Sequence, residues 1–334
     1  MANQQVAIAM DWGGTWVRTA VVDHQGKFLW QSRQPNPQGG TKEEYLKIAS
    51  DLLKVAMDEA SGDVVGIGVA AAGPVGASTG TLHQPPNLQV LNGVSLKSLW
   101  EKTFPCPVCV GNDANLAALG EFHFGAGKDA ASQGKPVTTL FYMTVSTGVG
   151  GGVVDHGSIF LGAHGVAAEV GHITIDPSDS ASLCQCGNTG CLEATASGTA
   201  IAKTAREWLA DGRIPGSLLA DGGETAVTAE AGFGAAAKGD PLAEQVLERA
   251  VQGLILGLDN VVHLFNPDMI VLGGGVTVGL VKSGLLERIH QGVQDRAMSE
   301  LHKEFQLVPA QLGDSVGLAG AAAMVWDQFD ASSQ

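Results

Sequence analysis

A stretch rich in apolar residues extends from Val6 to Asp11, Gly13-Gly14 breaks it, and Val17 to Asp23 resumes it, which predicts two strands joined by a tight glycine turn. Thr41 and Glu44 have the spacing of a capping box. Tyr45, Ile48, Leu52, Val55 and Ala56 follow at helical spacing and predict a core-facing helix. The continuous apolar run Val64 to Ala72 ends in Gly73-Pro74, as a buried strand delivering a turn does. Gly111-Asn112-Asp113-Ala114-Asn115 closes another strand and opens a helix over Leu116 to Phe124. A further strand, Val137 to Val145, leads into the glycine-rich turn Gly148 to Gly152 and then Val153-Val154-Asp155.

The second half is mostly helical. Ser197 to Asp211 puts Ile201, Ala205 and Trp208 on one face, and Asp211 to Thr225 reads as a surface loop. Pro241 to Phe265 is a long helix that Asn266-Pro267 breaks into the strand Met269 to Leu272. Gly273-Gly274-Gly275 then opens a helix beginning near Gly279, and the last helix spans Gly317 to Phe329, packing back on the first lobe. The hairpins around Gly13-Gly14 and Gly148-Gly152 both end Val-Val-Asp, a faint internal repeat.

A chain of 334 residues exceeds the size at which one core usually stops growing, so two lobes are expected. With 19 basic against 34 acidic residues the net charge is −15, a poor match to nucleic acid or an anionic membrane. No apolar run approaches a membrane span. Five cysteines and no signal-like N-terminal run point to a reducing cytoplasm, where clustered cysteines bind metal more often than they form disulfides.

Three stretches carry chemistry. Cys184, Cys186 and Cys191 fall within eight residues punctuated by glycine, with His172 twelve residues upstream of the first. Three thiolates and an imidazole make a closed set suited to structural zinc, the alternative being three small buried cysteines. At Gly13-Gly14 and Thr15 the backbone can approach a phosphate closely, and Asp11 beside such a loop is useful for holding hydrated Mg²⁺. Asp113 lies where α/β proteins place ligands, and equally where a simple helix cap would lie. Cys106 and Cys109 have redox-pair spacing but run into a strand instead of a helix start, and read as buried structural cysteines.

Glu169-x-Gly171-His172, followed by Cys184-x-Cys186-Gly187-x-x-Gly190-Cys191-x-Glu193, resembles the ROK family (repressors, open reading frames and sugar kinases), in its zinc-containing glucokinase-like branch. Asp11-x-Gly13-Gly14-Thr15, Gly111-Asn112-Asp113-x-Asn115 and Gly120-Glu121 match further motifs in the family's order. Trp12 and Trp16 depart from it, standing where smaller or basic residues are usual.

The resemblance implies an α/β, two-lobed actin/hexokinase/Hsp70-like (ribonuclease H-like) fold with the ligand cleft between lobes. One lobe would comprise residues 1–116 plus 315–334, the other 117–314. It implies ATP-dependent phosphorylation of a hexose, with Asp113 as catalytic base and Gly73, Asn112, Asp113, Glu169, His172 and Glu193 as sugar ligands. Nucleotide contacts would come from Asp11, Gly13, Gly14, Thr15, Thr147, Gly148, Gly273 and Gly274, with Mg²⁺ bound alongside ATP. Zinc would sit on His172, Cys184, Cys186 and Cys191, organising the sugar half of the site and leaving the ATP half largely alone. Pro86-Asn87-Leu88 resembles a segment near the sugar. Homodimers or homotetramers are usual in the family.

A sugar-sensing repressor of the same family is the rival from another class, and the start of the first strand by Val6 leaves no room ahead of it for a helix-turn-helix. A non-phosphorylating ATPase switch is a second rival, which the intact Asp113 and sugar motif disfavour. Cys184-Gln185-Cys186-Gly187, in place of the Cys-Pro-x-His-Gly usual in fructokinase-like members, favours glucose over fructose. N-acetylmannosamine, mannose and allose stay open.

Overall fold

The computed structural model describes residues 4–220 and 223–329. Its elements in order are β1 (Gln5–Trp12), β2 (Trp16–Asp23), β3 (Phe28–Pro35), α1 (Lys42–Glu59), β4 (Asp63–Ala71), α2 (Leu96–Trp100), β5 (Val108–Asn112), α3 (Asp113–Phe124) and α4 (Ala126–Ser132). These are followed by β6 (Thr139–Val145), β7 (Val149–Asp155), β8 (Ser158–Ile159), α5 (Glu193–Ala196), α6 (Gly198–Ala210), α7 (Ala229–Ala236) and α8 (Pro241–Phe265). The chain closes with β9 (Met269–Gly273), α9 (Gly275–Lys282), α10 (Leu285–Arg296), β10 (Gln306–Pro309) and α11 (Val316–Phe329).

Two five-stranded sheets have the orders β3-β2-β1-β4-β5 and β8-β7-β6-β9-β10. In the first, β1, β2 and β3 are antiparallel while β4 and β5 run parallel to β1. In the second, β9 runs parallel to both β6 and β10. A hairpin feeding two parallel strands thus occurs twice in the same order, which gives the repeat seen in the two glycine-loop hairpins a topological counterpart.

Two compact units emerge. One holds the described residues of Met1–Thr138, Gly152–Ala168 and Gln311–Gln334; the other holds those of Thr139–Gly151 and Glu169–Ala310. The first therefore runs past residue 116, because α3 packs against α11. Gly320 lies so close to the carbonyl of Leu116 that no side chain could be accommodated there. Glu121, fully buried on α3, accepts from Ala126, Gln311 and Leu312 backbone N–H groups, tying α3 to the segment ahead of α11.

The core of the first unit gathers Ile8, Met10, Trp12, Ile67, Val69, Leu53 and Trp100. The Thr41–Glu44 capping box forms as predicted. The buried face of α1 is Ala49, Leu52, Leu53 and Ala56, whereas Val55 is exposed. Helix α9 starts at Gly275, four residues ahead of the predicted Gly279, and α7, which apolar periodicity does not single out, fills part of the stretch before α8. The predicted loop Asp211–Thr225 contains a short 3₁₀ turn at Leu218–Ala220, with Leu219 buried; positions 221–222 lie outside the described residues. Cys109 is buried and Cys106 half-buried, both as free thiols.

Candidate active site and metal centre

The first unit carries Asp11, Gly13, Gly14, Thr15, Gly73, Asn112 and Asp113; the second carries Thr147, Gly148, Glu169, His172, the three clustered cysteines, Glu193, Gly273 and Gly274.

In the first unit the loop between β1 and β2 is held by a residue that motif spacing does not reveal. Asn36, buried just beyond β3, donates from Nδ2 to the carbonyls of Gly13 (2.8 Å) and Gly14 (2.9 Å), and its backbone N–H donates to the Thr15 carbonyl (2.8 Å). Its Oδ1 accepts from Trp12 Nε1 at 3.0 Å. Trp12 stacks on Trp100, so this departure from the family pattern is itself part of the loop's support. Trp16 stacks under the Arg33 guanidinium.

Asp11 and Arg18 face each other across the β1–β2 ladder, with Arg18 Nη1 3.8 Å from Asp11 Oδ2 and also donating to the Asp314 carbonyl at 2.7 Å. Burial pushes the Asp11 carboxyl up to about 6, with the Arg18 charge opposing it. A partly buried carboxylate with so little countercharge fits a hydrated divalent cation, which would restore its ionised form.

At the start of α3 it is Asn112, and not Asp113, that caps: its Oδ1 accepts from Ala114 N (3.0 Å) and Asn115 N (3.1 Å). Its Nδ2 donates to the Gly73 carbonyl and to Asp113 Oδ1, both at 3.1 Å. Gly73 has φ +103°, and one amide side chain therefore joins the Gly73 turn to the helix start. Asp113 Oδ1 also accepts from Ala114 N at 2.8 Å, which holds the carboxylate at the positive end of α3.

In the second unit His172, Cys184, Cys186 and Cys191 place their ligand atoms within 4.8 Å of one another. Zinc–sulfur bonds of about 2.3 Å in a tetrahedron set the sulfurs about 3.8 Å apart. Cys186 Sγ lies 3.7 Å from Cys191 Sγ, and Cys184 Sγ lies 3.7 Å from His172 Nδ1, so the set fits zinc. Burial, then the neighbouring thiols, push Cys191 up to about 12; burial raises Cys184, while the Asn188 N–H lowers Cys186. Thiols so disposed become joint thiolates only around a cation.

Glu169 starts the 3₁₀ turn that carries His172, whose N–H donates to the Glu169 carbonyl. Burial raises the Glu169 pKa; His172 acts against the rise and Glu193 adds to it.

A groove of about 1510 Å³ lies wholly within the second unit. Ser146, Thr147, Gly198 and Thr199 line it, as do Phe233 of α7 and Val276 of α9. Gly273 and Gly274 do not line it. Gly274, at φ +89° and tight against the Val145 carbonyl, shapes the turn that presents α9. The contributions of α6 and α7 escape sequence inspection, since apolar periodicity reports only that a helix packs.

A sequence profile of the ROK family matches residues 7–328. The chain is 34% identical to a glucokinase from Halalkalibacterium halodurans, over 96% of this chain and 95% of that protein. It is 30% identical to a putative xylose repressor from a Caldicellulosiruptor species, over 97% of this chain and 78% of the repressor. A ROK family glucokinase from Streptomyces griseus, solved with glucose and AMPPNP, aligns at a TM-score of 0.74 and 32% identity, covering 96% of this chain and 98% of that one.

Proposed function

The chain belongs to the ROK family, and from that membership we propose that it is an ATP-dependent hexose kinase that phosphorylates the 6-hydroxyl of an aldohexose, glucose first among them. Its fold is the two-lobed actin-like one of that family. The likeness to a glucokinase solved with glucose and AMPPNP carries the reading. Asp113, oriented by two N–H donors at a helix start, supplies the base that likeness requires.

Asp113 accepts the proton of the sugar hydroxyl as the hydroxyl oxygen attacks the γ-phosphorus in line, and the bond from that phosphorus to the bridging oxygen breaks opposite it, so that ADP leaves. The Gly73 turn, Asn112, Glu169, His172 and Glu193 bind the sugar hydroxyls. Asn112 does so by exchanging one of the two Nδ2 hydrogen bonds that it gives to the Gly73 carbonyl and to Asp113 Oδ1. The adenosine lies in the groove lined by α6, α7 and α9, with its phosphates toward Thr147 and Gly148. Asp11 would hold Mg²⁺, which neutralises charge on the phosphates, while Gly13, Gly14 and Thr15 present backbone N–H and hydroxyl donors to the transferring group. Arg18 is the one basic residue in either glycine-loop hairpin. His172, Cys184, Cys186 and Cys191 would hold zinc, which fixes the His172 ring through Nδ1 and leaves Nε2 to the sugar.

Likeness to a xylose repressor over 97% of the chain favours, as a second reading, a sugar-responsive regulator. Coupled ADP release on a panel of hexoses separates the two. A kinase turns over ATP only with sugar, fastest with glucose; sugar binding without any ADP release assigns the regulator. We place the protein in the cytoplasm, a reading supported by five free thiols, three of them converging with a histidine. Among the described residues no helix is long and apolar enough to cross a membrane.

A further inference from the structure

We propose that Glu193 is a positioning residue for the loop Ser146–Val149, so that the metal-bearing segment sets nucleotide affinity as well as sugar affinity. The proposal rests on the kinase reading for the identity of the loop's ligand. Sequence spacing confines the metal's influence to the sugar half; the contacts of the loop extend it.

The loop joining β6 to β7 has one internal hydrogen bond, from Ser146 N to the Gly148 carbonyl at 2.8 Å. Further restraints come from the segment Glu169–Thr199. Glu193 Oε2 accepts from Val149 N at 2.9 Å and lies 2.6 Å from where a Cβ on Gly148 would stand. Gly198 N donates to the Ser146 carbonyl at 2.7 Å, and Thr199 Oγ1 donates to the Thr147 carbonyl at 2.8 Å. Gly171 meets the Val149 carbonyl so closely that any side chain there would collide.

These contacts aim the loop. In a planar trans peptide the C=O and the following N–H point in opposite directions. Fixing the Ser146 and Thr147 carbonyls on Gly198 and Thr199 therefore turns the N–H groups of Thr147 and Gly148 the other way. Two adjacent N–H groups held outward make the kind of backbone concavity that binds phosphate oxygens. A glycine-containing loop has no stiffness of its own with which to hold that orientation.

The anchors are in turn placed by the metal ligands. Gly171 precedes His172 and Glu193 follows Cys191 by two residues, while Glu193 Oε1 lies 3.8 Å from Cys184 Sγ. The Leu192 N–H donates to the Ile173 carbonyl at 3.0 Å, joining the two ligand-bearing strands of chain. An ion shared by His172 and Cys191 holds Gly171 and Glu193 against the loop together. Losing it releases both.

Isothermal titration of zinc-loaded protein with Mg²⁺·ADP, in the absence of sugar, tests the coupling. Removing a hydrogen bond to a charged acceptor weakens binding about tenfold or more when the loop depends on it. Glu193→Ala should raise the ADP Kd by that factor. Glu193→Gln, which keeps an acceptor oxygen for Val149 N, should restore most of the affinity. Withdrawal of zinc from the wild-type protein by a chelator should weaken ADP binding, and zinc readdition should reverse it; this arm stands even where Glu193→Ala fails to fold. An unchanged ADP Kd in Glu193→Ala or in chelated protein overturns the proposal, as does a Glu193→Gln variant as impaired as the alanine. Wild-type protein that binds no Mg²⁺·ADP at all overturns the kinase reading instead.

Discussion

Replacing Asp11 with asparagine isolates what it costs to keep a carboxylate beside the first glycine loop. Burial raises the Asp11 pKa from 3.8 to about 6, against the pull of Arg18. The folded protein therefore keeps this proton over a range in which the unfolded chain has released it. The associated stability is present below the unfolded pKa and is lost as pH rises through the folded value. A rise of about 2.2 in pKa corresponds to about 3 kcal/mol, all of it lost well above pH 6. By pH 5 about half has gone, which leaves about 1.4 kcal/mol to be lost between pH 5 and pH 8.

Asparagine has no such proton. In metal-free and nucleotide-free protein the stability of Asp11→Asn relative to wild type should therefore grow by about 1.4 kcal/mol from pH 5 to pH 8. Urea denaturation of both proteins across that range measures the difference. The same variant should lose Mg²⁺-dependent sugar phosphorylation, since an amide is a far weaker cation ligand than a carboxylate. A stability difference that stays flat with pH would refute the argument from burial, and full turnover by the variant would remove Asp11 from the phosphate site.

Asp113→Asn should leave sugar affinity intact and lower kcat by roughly 10² to 10⁴, read in a coupled assay; a variant retaining over about a tenth of wild-type kcat would rule out the base. Asn36→Ala strips the buried Trp12 N–H and two loop carbonyls of their partner, so it should cost about 1–3 kcal/mol in denaturant unfolding. It should also raise KM for ATP more than KM for sugar, and equal changes in both would show that the loop does not depend on Asn36.

The sequence by itself determined whatever depends on residues near one another along the chain. The Thr41–Glu44 box, the first glycine hairpin and the long helix Pro241–Phe265 are settled by local sterics and periodicity, and the structure contains each of them. The four metal ligands were legible for a similar reason. Three lie within eight residues, and an ion's preference for thiolate and imidazole is written in side-chain chemistry before any fold exists. Only the tertiary structure decided which partner a polar group received where that partner lies far off in the chain or where neighbours compete for one role. At the start of α3 two adjacent residues could both cap, and Asn112 takes that role because the Gly73 carbonyl lies within reach of its other atom. Asn36 is one more polar residue after a strand until β1, β2 and β3 pair and bring Gly13, Gly14 and Trp12 around it. Glu193 stands 44 positions from Val149, and no periodicity records that its carboxylate closes on that amide. Hydrogen bonds between distant residues depend on where the backbone has been carried, and that is fixed only by the packing of the whole core.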